Sequence, residues 1–138
     1  MKALQIVGIV ALVYVGIVVL FESSIGYFQP RGQGTLVIAT RADNGAARQR
    51  VVSRLDSDGR LYVAANHWPR NWYNRALANP DIDVLWAGKK AAYRAVPVVD
   101  TQRKRVASKY DLPLAIRVLT GFPPRQFLRL DPRQASAR

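Results

Sequence analysis

The sequence predicts a mainly β fold, an antiparallel barrel with helical insertions, preceded by one apolar helix. Three observations carry that prediction. Five or six short segments rich in β-branched and aromatic residues recur along the chain, bounded by turn signals. Asn44-Gly45 and Asp58-Gly59 are hairpin turns, and hairpins join neighbouring strands antiparallel, which argues against a parallel doubly wound sheet. The amino-terminal segment Ala3–Phe21 is apolar throughout except for Gln5, and it is flanked by Lys2 and Glu22.

The apolar run comes first. As a helix it spans about 28 Å at 1.5 Å per residue, close to the thickness of a bilayer's hydrocarbon core. Residues 1–22 are therefore read as a single-pass membrane anchor. A cleavable signal peptide is the rival, although its apolar region is usually shorter. A buried core helix is the third reading, and nothing polar marks an outer face for it. Residues 23–33 read as a linker, with Gly26, Pro30 and Gly32, and residues 34–138 as the barrel domain.

Thr35–Thr40 is the first strand, and Asp43-Asn44-Gly45 turns it into a second at Gln49–Leu55. Asp58-Gly59 leads to a third strand at Leu61–Ala65. Pro69 suits the first turn of a helix, and Trp72, Tyr73, Ala76 and Leu77 fall at helical spacing within Arg70–Ala78. Asn79-Pro80 ends that helix. Ile82–Ala87 and Ala91–Val99 are strands four and five, turned by Gly88. Asp100-Thr101 is placed as the cap of a helix reaching about Tyr110, and Gln126–Leu130 is a last strand. Leu114–Leu119 fits helix or strand.

Net charge is +12, and Lys2 and Glu22 cancel, so residues 31–138 carry all of it. A basic domain tethered at a membrane is drawn to anionic headgroups, at about 1 kcal/mol per nearby Lys or Arg. A basic pocket for a phosphorylated cofactor is a second use of the charge. Nucleic acid is not expected, because no recognisable binding module is present. There is no cysteine, which excludes disulfides and thiolate metal sites, and a single histidine argues against an all-protein zinc site.

The stretch Leu61–Val84 carries the chemistry. An apolar strand ends in Asn66-His67, and a short helix with Arg70, Trp72 and Tyr73 follows. Strand-to-helix junctions offer free backbone N–H groups and suit anions or flat rings. His67 titrates near neutrality, so it is the one candidate for a catalytic proton donor, with a helix-capping or surface role as the plainer reading. Trp72 and Tyr73 read first as aromatic core.

Thr40, Gly45, Arg50, Ala65-Asn66, Trp72-Tyr73 and the run from Asn74 to Pro80 (NRALANP) together resemble the deazaflavin-dependent nitroreductase family, also called the nitroreductase/quinone reductase family. The resemblance covers about residues 35–100. It implies a split β-barrel related to FMN-binding oxidoreductases. It further implies a cofactor site at Arg50, Ala65, Asn66, His67, Trp72 and Tyr73, to which position adds two candidate phosphate contacts, Arg48 on the strand face of Arg50 and Arg70 near the helix start. There, arginines would hold phosphate in bidentate, charge-assisted bonds. One motif departs. The family's first hairpin usually reads T-G-R-K-S-G, and here Ala42-Asp43 stands where it has Arg-Lys. Ser53 also replaces a frequent proline in the second strand.

The function implied is a membrane-anchored oxidoreductase that passes a hydride from a reduced deazaflavin, or alternatively FMN, to a quinone-like or nitroaromatic acceptor. The rival is a non-enzymatic, membrane-surface or flavin-binding barrel with a degenerate pocket. Expected partners are anionic membrane lipid, a lipophilic acceptor such as a quinone, and a second copy of the chain. The soluble domain is placed in the cytoplasm, where reduced coenzyme is supplied.

Overall fold

The computed structural model describes residues 1–27, 34–68 and 70–134. Most of the expected linker and Pro69 lie outside the described residues. The chain groups into two compact units, Met1–Gln29 with Leu112–Pro124, and Pro30–Asp111 with Arg125–Arg138.

The larger unit holds six strands, β1 (Thr35–Arg41), β2 (Ala47–Ser57), β3 (Arg60–Ala65), β4 (Asp81–Trp86), β5 (Lys89–Pro97) and β6 (Gln126–Pro132). They close into an antiparallel barrel in the order β1-β2-β3-β6-β5-β4. Two helices are inserted, α2 (Asn71–Ala78) and α3 (Asp100–Lys109). The mainly β barrel with helical insertions is thus the fold the sequence predicted.

The turns have a local cause. Asp58 and Gly59 have φ of 52° and 70°, and Ala87 and Gly88 have 50° and 74°. Positive φ at both central residues makes the two-residue turns whose twist matches paired strands. Glycine at the second position keeps each turn free of Cβ strain.

Alternation sets the two cores. On β1, Leu36, Ile38 and Thr40 are buried and the residues between them less so, giving one inward face. With Val52, Val63, Ala65, Ile82, Val84, Ala95, Leu128 and Leu130 these aliphatics fill the barrel, and Trp72 and Ala76 of α2 join them. A second cluster holds Leu55, Tyr62, Ala64, Val98, Val106 and Phe127, so α3 covers β2, β3 and β6 from outside. That cover explains why β3 is buried on both faces and reads as a continuous apolar run. Polar contacts pin α3 in place. Gln102 donates to the Tyr62 hydroxyl (2.9 Å), Lys109 and Tyr110 donate to the Asp56 carbonyl (2.6 and 2.8 Å), and Arg105 pairs with Asp58 (2.7 Å).

Two local expectations change. The residue before α3 is Val99, which is extended, and no side chain caps the helix. Asp100 is its first residue, with φ of 39°, so Asp100-Thr101 is not the cap. Strand five runs Lys89–Pro97, two residues earlier than predicted at each end, because Ala87-Gly88 alone makes the turn.

The smaller unit holds α1 (Lys2–Tyr27) and α4 (Leu114–Leu119), which resolves the ambiguous 114–119 segment as helix. The stretch Lys2–Ile25 is long and apolar enough to cross a membrane, and its most apolar window has no buried residue. The helix runs on past residue 22, where the sequence reading begins a linker. Ser23 and Ser24 donate their hydroxyls to the carbonyls of Val19 and Phe21 (2.7 and 2.6 Å), folding back on the helix instead of breaking it.

Candidate functional site at the β3–α2 junction

Ala65 ends β3, buried and paired with Gln126 of β6, and its side chain belongs to the barrel core. The chain then leaves the sheet through Asn66, His67 and Trp68. Arg70 stands at the entry to α2, with φ of −96° and ψ of 44°, and no side chain caps that helix. The strand exit and the helix start are thereby fixed by core residues on each side, Ala65 before and Trp72 after.

Asn66 is held from the entry to the neighbouring strand β6. Arg125, one residue before β6, donates its Nε to the Asn66 side-chain oxygen (3.0 Å) and an Nη to the Ala107 carbonyl of α3 (3.3 Å). Its guanidinium also lies 5.1 Å over the Phe127 ring. A partly buried charged hydrogen bond of this kind contributes about 1.5–3 kcal/mol. It orients the amide and ties β3, α3 and β6 together at one end of the barrel.

His67 is half-buried beside Arg50 of β2. Burial first, and the arginine's charge second, hold its pKa below the ordinary 6.5. The imidazole is therefore neutral at pH 7. Tyr73 shows the opposite shift. Burial raises the phenol pKa, while Arg70 and Arg103 pull it partly back. The charges that shift these rings come from Arg50 of β2 for His67, and from Arg70 at the α2 entry and Arg103 of α3 for Tyr73.

The structure brings the predicted residues into two groups: Arg50 acts on His67, with Asn66 adjoining it in the chain, and Arg70 acts on Tyr73. Arg70 also stacks its guanidinium 4.4 Å over the exposed Trp68 ring. Arg48 lies two residues from Arg50 on the same strand face and is exposed, opposite Thr40 in register. Trp72 differs in character. It is 7% exposed and packs in the barrel core, meeting Tyr73 edge-on at 6.1 Å and 85°. No group of His, Cys, Asp or Glu among the described residues could hold a metal.

Two residues escaped the sequence reading. Arg103 was visible only as part of a basic helix face, and Arg125 only as a residue between two prolines and a strand. Both act across more than twenty-five residues of sequence: the pairing of β6 with β3 brings Arg125 to the junction, and the packing of α3 on the barrel brings Arg103.

The first hairpin is closed by its own groups. Gly45 N–H donates to the Ala42 carbonyl (2.8 Å), Ala42 N–H to the Ala46 carbonyl (2.9 Å), and Ala46 N–H to the Asn44 side chain (3.0 Å). Asp43 stays exposed there. At the opposite end of the barrel a cavity of about 290 Å³ is lined by Leu36, Arg54, Leu61, Trp86, Tyr93 and Leu130 among others. None of the sequence-predicted site residues lines it.

The sequence profile of the F420H(2)-dependent quinone reductase family matches residues 14–115. The chain belongs to that family. F420 is a deazaflavin, so the family is deazaflavin-dependent, as the W-Y and A-N-P motifs implied. A search of curated proteins found no match. Among solved structures, the chain is similar to an F420-H2 dependent reductase (FDR-A) at 17% identity and TM-score 0.55, covering 75% of this chain and 99% of that one. The heme storage protein HutZ from Vibrio cholerae is similar at 15% identity and TM-score 0.54, with 83% and 87% covered. A pyridoxamine 5'-phosphate oxidase-like protein from Listeria innocua is similar at 12% and 0.51, with 82% and 94% covered. At these identities the likeness establishes the fold, the barrel common to deazaflavin and flavin proteins.

Proposed function

We propose that this protein is a membrane-anchored oxidoreductase that reduces a quinone-class acceptor with reduced deazaflavin. Family membership supports the coenzyme. The observation that carries the site is the placement of Arg50 against His67 and of Arg70 and Arg103 against Tyr73. That donor set fits a coenzyme with an anionic tail, because each guanidinium presents a planar fork to phosphate or carboxylate oxygens. Arg103 and Arg50 here take the place of the basic pair that the Ala42-Asp43 hairpin lacks.

When bound, the reduced deazaflavin supplies the hydride, and the protein's own residues bind and orient. Arg50, Arg70 and Arg103, with Arg48 on the same strand face as Arg50, would hold the anionic tail. Asn66, fixed by Arg125, would offer its amide as a hydrogen-bonding group to the coenzyme. Neutral His67 would donate or accept one hydrogen bond without adding charge. Tyr73, partly buried, would supply an uncharged aromatic wall, and Trp72 holds the α2 entry in place from the core.

A lipophilic acceptor suits the tether, since anchoring raises the local concentration of enzyme and acceptor in one membrane. The second copy of the chain expected from sequence belongs to this proposal as a homodimer. The test is coenzyme oxidation by the full-length protein in vesicles with and without a long-chain quinone. Quinone-dependent oxidation supports the reading. Equal turnover with a water-soluble nitroaromatic and none with the quinone counts against the acceptor. The exposed Asp43 favours one rival, a barrel without catalysis, which predicts vesicle binding with no coenzyme oxidation at all.

A further inference from the structure

We infer that Leu112–Pro124 is a second lipid-embedded element, a short helical hairpin that lies in the bilayer along the carboxyl half of α1. The inference rests on the proposal that α1 is a membrane anchor. It begins from the packing within the smaller unit. The Tyr14 hydroxyl, in the middle of the apolar run, donates to the Val118 carbonyl of α4 at 2.8 Å. Gly121 faces Val18 so closely that a Cβ there would stand 3.1 Å from the valine's Cγ1. The contact therefore follows α1 at residues 14 and 18, one helical turn apart and both inside its membrane-length stretch.

The free surface of this hairpin is apolar. Leu114 is 68% exposed, Phe122 53% and Val118 38%. Water is a poor partner for such a cluster, and it is continuous with the exposed flank of α1.

The backbone supplies the second argument. A helix end leaves carbonyls that water normally satisfies, and hydrocarbon cannot. Here the protein satisfies them itself. Ile116 accepts from Thr120 N–H and from the Thr120 hydroxyl (2.9 and 2.8 Å). Arg117 accepts from Phe122 N–H and the Thr120 hydroxyl (2.9 and 3.2 Å). Val118 accepts from Gly121 N–H (3.2 Å) and from Tyr14. Thr120 is 1% exposed, its hydroxyl spent inside the hairpin. The single Thr120 hydroxyl proton is shared between Ile116 and Arg117, and with the three backbone N–H groups and Tyr14 it satisfies all three carbonyls inside the smaller unit. Arg117 is the one charged side chain on α4, and its long stem lets the guanidinium rise to the headgroups while the backbone stays lower.

The chain has no cysteine, so a single introduced thiol reports one position. The full-length variants Leu114→Cys, Val118→Cys, Val13→Cys and Lys104→Cys, each labelled with an environment-sensitive fluorophore, are reconstituted in vesicles. Lipids brominated along the acyl chain and aqueous iodide then serve as competing quenchers. The inference expects labels at 114 and 118 to behave like the label at 13, quenched several-fold more by brominated lipid than by iodide, with 104 reversed. If 13 is lipid-quenched while 114 and 118 are iodide-quenched, the hairpin is outside the bilayer and the inference is overturned with the anchor intact. If 114 and 118 are shielded from both quenchers in a concentration-dependent way, a second copy of the chain covers them and the inference is likewise wrong. If 13 itself is iodide-quenched, the anchor reading fails and takes the hairpin with it.

Discussion

Arg50→Gln is the most informative single change, because it separates what Arg50 does to His67 from what it does for a ligand. The side chain is half-buried at the start of the inward face of β2, paired in register with Ile38. It is neither a fully solvated arginine, worth well under 1 kcal/mol, nor a buried ion whose loss costs several. A half-desolvated guanidinium in charge-assisted bonds to a phosphate or carboxylate contributes about 1.5–3 kcal/mol. At 1.4 kcal/mol per decade, the variant weakens deazaflavin binding roughly tenfold to a hundredfold. Its effect on His67 is separate. The imidazole pKa is lowered mainly by burial and secondarily by Arg50. The variant should raise that pKa without bringing it to 6.5, since burial remains. The chain has one histidine, so its ring resonances titrate without ambiguity in an NMR series. Coenzyme affinity comes from fluorescence titration of the same preparations. A raised His67 pKa with coenzyme affinity changed less than twofold would place Arg50 beside the imidazole but off the ligand, and would refute the assignment. An unchanged His67 pKa would refute the electrostatic picture of the junction itself.

Three further outcomes follow from the same geometry. Arg103→Gln should weaken coenzyme binding about as much as Arg50→Gln, on the same energetic grounds, while leaving the melting temperature within a few degrees; affinity and thermal unfolding measured together check it. Trp72→Ala removes a core ring at the barrel end and should cost about 3–5 kcal/mol in denaturant unfolding; a cost under 1 kcal/mol would mean that α2 does not plug the barrel. His67 is held neutral in the folded state, so the unfolded chain binds the extra proton as pH falls below 6.5. Stability should decline from about pH 6.5 downward and be flat just above it, and His67→Gln should remove that part of the decline in a thermal-melt pH series.

Much of the barrel was legible because its signals are local. The alternation of Leu36, Ile38 and Thr40, the Asp58-Gly59 turn and the helical spacing of Trp72 and Ala76 each act within a few residues. The errors have local causes as well. Asp100-Thr101 looks like a cap, but Val99 is extended into α3 and Asp100 already belongs to the helix. Ser23-Ser24 looks like the start of a linker, yet both hydroxyls return to helix carbonyls. The candidate site was legible in the contiguous stretch from Ala65 to Tyr73 and, through the family resemblance and the strand period, at Arg50 and Arg48. Arg103 and Arg125 reach it through tertiary packing, and no spacing rule links Asn66 to an arginine 59 residues on, at the entry to the neighbouring strand. The hairpin of Leu112–Pro124 was invisible for the same reason, since its partner Tyr14 lies 104 residues away.

The central claim is that the cationic junction of Arg50, Arg70 and Arg103 holds a deazaflavin. The most direct measurement is a fluorescence titration of the full-length protein, in vesicles, with the deazaflavin coenzyme, with a deazaflavin lacking the anionic tail, and with FMN. The account predicts binding of the whole coenzyme tighter than about 100 μM, at least tenfold weaker binding of the tail-less ring, and loss of that difference in Arg50→Gln. Equal affinity for the coenzyme with and without its tail, or no binding of the coenzyme in this range, would contradict it.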